Sequence, residues 1–204
     1  MILFPGVSFL ENYLAPDEQR RLWEICRSLA HGPVPMYTPT VRGGKKMSVE
    51  MLCLGRHWNA QTYSYEEKRS DFDDLPVPEI PAELVSLASR AAEQSGFPMR
   101  PDLCIMNFYG TDSRMGVHQD RDEGEESIRA GIPIVSVSIG DTARFVIGGL
   151  KRKEPTSAIM LRSGDVVVMG GPSRLRFHGV TRILPGTAPE GTGPGRFNLT
   201  FRRY

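Results

Sequence analysis

The tripeptide His118-Gln119-Asp120 carries the residue types and the spacing of a metal site. In an extended strand, side chains two positions apart point to the same side, so the imidazole and the carboxylate can reach one metal ion. Taken alone, the pair is more typical of a polar strand end whose side chains bond the backbone. A metal site therefore needs a third ligand elsewhere in the chain.

Only three other histidines are candidates for that ligand, because the chain has four in total. His31 and His57 precede the pair, and His178 follows it in the apolar context RLRFHGV. Two histidines and one carboxylate, with the remaining metal positions open, are typical of non-haem Fe(II) oxygenases. The same set also suits catalytic zinc, so a zinc hydrolase is an alternative.

The last apolar segment, RFNLTFRRY, carries a second chemical signal. Strand alternation places Arg196, Asn198, Thr200 and Arg202 on one face and the apolar side chains on the other. Arginine binds carboxylates with two parallel hydrogen bonds and keeps its charge when partly buried. This face therefore resembles a receptor for a small dicarboxylate, and the alternative is an edge strand with solvated arginines.

Two amphipathic helices are predicted before these residues, one opening at Pro16 and ending before Gly32, the other from Pro81 to Gln94. Between them we expect strands joined by turns up to about Arg56, then a long aperiodic loop of the kind that is functional or forms a lid. After Gly96, eight short apolar runs indicate an antiparallel sandwich or jelly roll, with a flexible Pro/Gly-rich loop at 184–196.

Composition places the chain among globular proteins of one domain. It has 204 residues, 40% of them apolar, and 25 basic against 24 acidic side chains. So small a net charge gives no general attraction to polyanions, and nucleic-acid contacts would need local patches. We find no signal peptide and no membrane-spanning run, and the three dispersed cysteines favour a reducing compartment. We therefore expect a cytoplasmic monomer without a membrane partner.

Several motifs in order resemble the AlkB-type Fe(II)/2-oxoglutarate dioxygenases, which dealkylate nucleic acids. They are NFY, HQDRDE, PIVSVSIG, GGLKR, SGDVVVMGG, RLRFHGV and RFNLTFR, with looser similarity upstream around Met47 and Trp58. The resemblance implies an α+β, mainly β fold: a double-stranded β-helix (jelly roll) core at 101–204, N-terminal helices, and a nucleotide-recognition lid at about 33–75. Together these would form one dioxygenase domain, 1–204.

The resemblance also implies roles for individual residues. Fe(II) would be held by His118, Asp120 and His178. The cosubstrate 2-oxoglutarate would be bound by Asn107, Tyr109, Arg196, Asn198 and Arg202, with Arg196 on the distal carboxylate and Arg202 near the carboxylate beside the metal.

Substrate contacts are implied for five further residues. Trp58 would stack on an extruded base, Asp122 would face its exocyclic group and Tyr63 would contact phosphate. Met47 and Arg152 would complete this side of the site. Further phosphate contacts are expected from basic residues at Arg42, Lys45, Lys46, Arg56 and 151–153.

The implied reaction is oxidative demethylation of N-alkylated bases of the 1-methyladenine and 3-methylcytosine type. It couples 2-oxoglutarate decarboxylation and O2 to hydroxylation of the alkyl group, with release of the aldehyde. The substrate would be single- or double-stranded DNA, with RNA as a further candidate. Three alternatives stay open: hydroxylation of a protein side chain or small metabolite, zinc-dependent hydrolysis, and a non-catalytic nucleic-acid-binding module.

Overall fold

Thirteen β-strands and three α-helices make up the part of the chain that the structure, a computed structural model, describes, residues 2–204. The strands are β1 (Ile2–Phe4), β2 (Val7–Leu10), β3 (Glu50–Leu54), β4 (His57–Asn59), β5 (Ser64–Glu66), β6 (Leu103–Tyr109), β7 (Met115–His118), β8 (Ile134–Gly140), β9 (Thr142–Ile147), β10 (Ser157–Leu161), β11 (Val166–Met169), β12 (His178–Leu184) and β13 (Arg196–Arg202). The helices are α1 (Pro16–Ala30), α2 (Ala82–Gln94) and α3 (Glu125–Arg129), with a 3₁₀ turn at Gly171–Ser173.

Two antiparallel sheets form the body of the fold. The larger has the strand order β1-β2-β11-β8-β13-β6-β3, and the smaller has the order β10-β9-β12-β7. Many sequence neighbours are separated in these orders, so the chain crosses repeatedly from one sheet to the other. This two-sheet arrangement confirms the jelly roll expected from the eight apolar runs, each of which forms a strand.

The seven-stranded sheet has apolar side chains on both faces, and each face packs against a different layer. Val135, Val137 and Ile139 of β8 face α1 and α2, where Trp23 and Leu84 are also buried. The other face packs against the smaller sheet through residues such as Ile134, Phe145, Val167 and Val180. Burying each such side chain stabilises the folded state by roughly 2 kcal/mol, so both layers are held firmly against the sheet.

The two predicted helices form within one residue of the expected bounds. Pro16 occupies the first turn of α1, and the Glu18 carboxylate accepts a hydrogen bond from the backbone N–H of Ala15 at 2.9 Å. This interaction satisfies a donor that the helix itself leaves unpaired. Among residues 2–204, no helix is both long and apolar enough to span a membrane.

Two stretches differ from the expectation. The N-terminal residues contribute β1 and β2 to the large sheet, and the long loop after Arg56 contains the hairpin β4–β5. Between residues 32 and 56 the described chain forms one strand, β3, and two isolated bridges, Tyr37 with Met51 and Thr40 with Lys46, instead of several strands. Strands β1, β2, β4 and β5 are only three or four residues long, too short for period-2 alternation to be read from the sequence, so they are defined by pairing with other strands.

Candidate metal and cosubstrate site

Strand pairing brings His118 and His178 face to face. They are register partners in the antiparallel pair β7–β12. Asp120 lies two residues beyond His118, and its carboxylate oxygens are 3.4 Å from the Nε2 atoms of both histidines. One potential ligand atom from each of the three residues lies within 4.8 Å of the others. These three side chains can therefore reach one metal ion.

The histidine rings are held in the tautomer that metal binding needs. Nδ1 of His118 lies 2.8 Å from the carbonyl oxygen of Gly116, and Nδ1 of His178 lies 3.0 Å from that of Arg176. Each Nδ1–H donates to its carbonyl, so in the neutral ring the lone pair of Nε2 is on the side of Asp120, where a metal ion can bind it; without a metal ion, a protonated Nε2 donates to the Asp120 carboxylate. Two imidazole nitrogens and one carboxylate are the donor set of non-haem Fe(II) sites, and the residues fit that ion.

Asp120 is buried but charged. Burial alone would raise the pKa of Asp120, but the positive charge of Arg202 and hydrogen bonds from both histidines lower it well below its usual range. For His118 burial acts in the opposite direction and lowers the pKa. The hydrogen bond to Asp120 and the negative charge of that carboxylate more than offset this, so the pKa of His118 is raised. The carboxylate is therefore ionised at neutral pH, the form that binds a cation.

Arg196 is a buried cation without a charged partner. Its Nη2 donates to the Ser138 hydroxyl at 2.7 Å and its Nη1 to the Leu161 carbonyl at 3.3 Å, while its Nε has no hydrogen-bond partner in the described chain. Burial lowers the pKa of Arg196 to about 10, which leaves it charged at neutral pH. A buried guanidinium with an unused donor favours an anionic ligand.

The other residues predicted for the cosubstrate lie around Arg196. Strand β13 pairs with β6 so that Asn198 lies opposite Asn107 and Arg196 opposite Tyr109. The side-chain oxygen of Asn107 is buried and has no hydrogen-bond partner among residues 2–204. All five predicted residues line one inner cavity together with the metal group: Asn107, Tyr109, Arg196, Asn198 and Arg202. A cavity with a buried cation that lacks a charged partner fits a small dicarboxylate such as 2-oxoglutarate.

An outer cavity of about 690 Å³ adjoins the inner one, a volume suited to a small organic ligand. All five residues predicted for the substrate side line it: Met47, Trp58, Tyr63, Asp122 and Arg152. The indole Nε1 of Trp58 donates to the Asp122 carboxylate at 2.9 Å, and Tyr63 packs beside the indole with ring centroids 5.7 Å apart. Asp122 therefore contacts Trp58 directly, which the sequence did not indicate.

Several buried residues of the site were not predicted. Glu123, Tyr65 and Arg174 form a polar network with Arg202, and Ser138 bonds Arg196. No local sequence pattern indicates that these residues belong to the site, because their hydrogen-bond partners lie 51 to 137 positions away.

The two other histidines lie apart from the metal group. His31 is exposed at the end of α1, and His57 is fully buried with its Nε2 2.6 Å from Asp71. Neither belongs to the cluster of three potential ligands found in the described chain.

Comparisons with known proteins agree with this geometry. Residues 6–202 match the sequence profile of the 2OG-Fe(II) oxygenase superfamily. The chain is 39% identical to "Alpha-ketoglutarate-dependent dioxygenase AlkB homolog" of Caulobacter vibrioides, covering all of this chain and 90% of that protein. It is 40% identical to "DNA N(6)-methyladenine demethylase ALKBH1C" of Arabidopsis thaliana, covering all of this chain and 49% of that protein.

A solved structure described as "The structure of OsALKBH1" superposes with a TM-score of 0.93 at 38% identity, covering 100% of this chain and 99% of that one. The chain spans about half the length of the Arabidopsis relatives it matches. The match over almost the whole sequence, together with the paired histidines, Asp120 and the unpaired Arg196, leads to one conclusion. The chain belongs to the AlkB family of the 2OG-Fe(II) oxygenase superfamily.

Proposed function

We propose that this chain catalyses the oxidative demethylation of N-alkylated nucleobases, with Fe(II), 2-oxoglutarate and O2. The observation that carries the proposal is the position of the metal group between two cavities: His118 and Asp120 line both of them. The inner cavity offers a cation to a dicarboxylate, and the outer cavity has the aromatic wall that a nucleobase requires. The family supports the same chemistry, because its relatives are named as dioxygenases and demethylases of nucleic acid.

The protein's own residues supply binding, orientation and exclusion of water. His118, Asp120 and His178 hold the iron, and Arg196 binds the distal carboxylate of 2-oxoglutarate, with Asn107, Tyr109, Asn198 and Arg202 completing its site. When bound, the iron and 2-oxoglutarate supply the oxidising power that hydroxylates the alkyl group. Two of these ligands, His118 and Asp120, line the outer cavity, so an alkyl group there would be held next to the metal.

Trp58 and Asp122 form the base-recognition wall in this proposal. One oxygen of Asp122 fixes the indole, and the other is available to accept a hydrogen bond from an exocyclic amino group. The ring of Trp58 is only partly buried and lines the outer cavity, where an extruded base can stack on it. An adenine or cytosine carrying an N-alkyl group satisfies both contacts.

Nucleic acid would cross the mouth of the outer cavity, with residues at about 33–75 as the recognition lid and 101–204 as the catalytic core. Two cations lie beside aromatic residues that line this cavity: Arg42 is 5.3 Å from the ring of Tyr63, and Arg152 is 6.0 Å from the ring of Phe177. Phosphate contacts from these cations would position the strand without reading its sequence. A cytoplasmic monomer stays a prediction from sequence.

The test is a panel of DNA and RNA oligonucleotides, single- and double-stranded, containing 1-methyladenine, 3-methylcytosine or N6-methyladenine. N6-methyladenine is included because the Arabidopsis relative is named for it. We expect equimolar formaldehyde and succinate from at least one member, and no formaldehyde after Asp120→Ala. Succinate release without formaldehyde from every member would contradict a nucleic-acid substrate and point to hydroxylation of a protein or metabolite.

A further inference from the structure

Arg202 lies in the wall between the two cavities and lines both of them. Its Nη2 is 2.8 Å from Asp120 Oδ2, which ties it to the metal group. Its Nη1 donates to the hydroxyl of Tyr65 at 2.6 Å, and its Nε is 3.2 Å from Glu123 Oε1. The Tyr65 hydroxyl in turn donates to the same Glu123 oxygen at 3.3 Å. The Tyr65 hydroxyl and the Glu123 carboxylate therefore contact the same guanidinium and each other, the hydroxyl through hydrogen bonds and the carboxylate through an ion pair with Arg202.

Glu123 is held in place by a second buried arginine. Its Oε2 is 2.9 Å from Nη2 of Arg174, and the side chain is fully buried. Arg174 also donates to the backbone carbonyls of Asp120, at 2.7 Å, and of Ile132, at 2.8 Å. Arg174 thus fixes Glu123 relative to the proposed metal ligand Asp120. Glu123 can in turn fix the position of Arg202.

Tyr65 belongs to a different element, the β4–β5 hairpin. It is the register partner of Trp58, the aromatic wall of the outer cavity. Its ring is buried, and desolvation raises its pKa well above the usual value, so the hydroxyl stays protonated and can serve as donor and acceptor at once. The hairpin that presents Trp58 is therefore hydrogen-bonded directly to a guanidinium of the cosubstrate cavity.

We propose that Tyr65 and Glu123 are positioning residues that fix Arg202, so that the β4–β5 hairpin forms part of the 2-oxoglutarate site. This inference rests on the proposed cosubstrate role of Arg202 and does not depend on the nucleic-acid substrate. Each N–H group of a buried guanidinium needs a partner, and loss of the Tyr65 hydroxyl leaves Nη1 without one. Arg202 would then keep only its contacts with the Asp120 and Glu123 carboxylates, and its Nη1 would no longer be held in the orientation that the cosubstrate needs.

The coupling must act in both directions. If an ordered hairpin favours the Arg202 position that binds 2-oxoglutarate, then 2-oxoglutarate must order the hairpin to the same extent. Binding of the cosubstrate would thereby prepare the Trp58 wall before a base arrives. Nothing in the local sequence of either segment indicates this link, because Tyr65 and Arg202 are 137 positions apart.

The first measurement is 2-oxoglutarate affinity in the full chain loaded with Mn(II), a redox-inactive substitute for Fe(II), without nucleic acid. Tyr65→Phe removes the hydroxyl alone, and we expect about tenfold weaker 2-oxoglutarate binding, the size of one hydrogen bond to a charged group. Mn(II) affinity without 2-oxoglutarate should change less than 2-oxoglutarate affinity. Tyr37→Phe is the matched control: its hydroxyl lies 3.3 Å from Asp71 and His57, outside the Arg202 network, and 2-oxoglutarate affinity should be unchanged.

Glu123→Gln provides a second variant with the same shape and no charge, and its effect should not add to that of Tyr65→Phe, because both act through Arg202. Amide hydrogen exchange then tests the reverse direction: 2-oxoglutarate should slow exchange in residues 57–66 of the wild type but not of Tyr65→Phe. The inference would be overturned if Tyr65→Phe bound 2-oxoglutarate with wild-type affinity. It would also be overturned if 2-oxoglutarate did not change amide exchange in the hairpin of the wild type. If the Mn(II)-loaded wild type itself binds no 2-oxoglutarate, the proposed cosubstrate site fails first.

Discussion

At the scale of single residues, Arg196 is a buried charge whose burial reduces the stability of the ligand-free protein. Among residues 2–204 it pairs with no carboxylate, and its partners are a hydroxyl and a backbone carbonyl. Burying such a charge costs stability that a bound dicarboxylate would return. The lowered pKa of Arg196 expresses the same cost, since burial disfavours the charged form.

This cost leads to a prediction for Arg196→Met. The neutral side chain fills similar space, so we expect the free energy of unfolding of the ligand-free protein to be unchanged or higher. Affinity for 2-oxoglutarate should fall about 100-fold, because a bidentate bond to a charge is lost. Chemical denaturation and calorimetric titration of the Mn(II)-loaded protein measure the two effects.

Arg196→Lys is the control, since it keeps the charge but not the planar fork, and it should bind 2-oxoglutarate with intermediate affinity. A methionine variant that is strongly destabilised yet binds 2-oxoglutarate normally would show that Arg196 is purely structural.

Trp58 allows a second prediction at this scale. Trp58→Ala should weaken binding of a methylated single-stranded oligonucleotide by roughly 10- to 100-fold, the usual loss when a base–aromatic stack is removed. Trp58→Phe keeps an aromatic ring but loses the hydrogen bond to Asp122, so its affinity should lie between those of the wild type and the alanine variant. Fluorescence anisotropy with Mn(II) and 2-oxoglutarate present measures the affinities, and equal binding by the alanine variant would exclude base stacking.

At the scale of elements, β13 followed its sequence closely. Its period-2 pattern predicted one polar and one apolar face, and Phe197, Leu199 and Phe201 indeed pack against the helix layer. The strand is central rather than at an edge, with β8 and β6 as neighbours. The alternation could be read because the two faces of the strand contact layers of opposite character. The central position could not be read, since it depends on pairing with residues 56 to 99 positions away.

The loop before β13 is more constrained than its Pro/Gly-rich sequence indicated. The buried carboxylate of Asp141 accepts backbone hydrogen bonds from Thr187 and Ala188 on one oxygen and from Gly195 on the other, each at 2.9 Å. Asp141 lies between β8 and β9, so it fixes both ends of this loop to the sheet. Sequence could not predict this, because an aspartate after a strand is usually a turn residue.

Asp141→Asn should therefore reduce the free energy of unfolding by roughly 3 kcal/mol, because one amide group faces N–H donors and the charge-assisted bonds are lost. Urea denaturation measures the change. The matched control is Asp112→Asn in the exposed turn after β6, for which we expect no measurable effect. A stable Asp141 variant would mean that the loop does not depend on this carboxylate.

At the scale of the whole molecule, charge is balanced overall and uneven locally. The chain has 25 basic and 24 acidic residues, so attraction to nucleic acid depends on where the cations lie. Arg152 lines the outer cavity beside Phe177, and Arg42 packs over Tyr63, which also lines that cavity. A strand that crosses the cavity mouth can contact both.

We therefore expect salt-dependent binding in which each of these arginines accounts for about one released counterion. Arg42→Ala and Arg152→Ala should each reduce the slope of log affinity against log salt concentration by about 1, without changing base preference. The control is Arg90→Ala on α2, an exposed cation outside the cavity lining. Slopes that respond equally to all three substitutions would show diffuse attraction instead of a defined path.

The seven-stranded sheet has one more consequence, which concerns self-damage. Cys26 and Cys104 are buried in the helix layer on one face of this sheet, whereas Asn107 and Tyr109 of the same strand as Cys104 point into the inner cavity on the other face. Burial raises the pKa of both thiols, which keeps them in the unreactive protonated form. The sheet therefore lies between these two thiols and the inner cavity, beside which an oxidant would form.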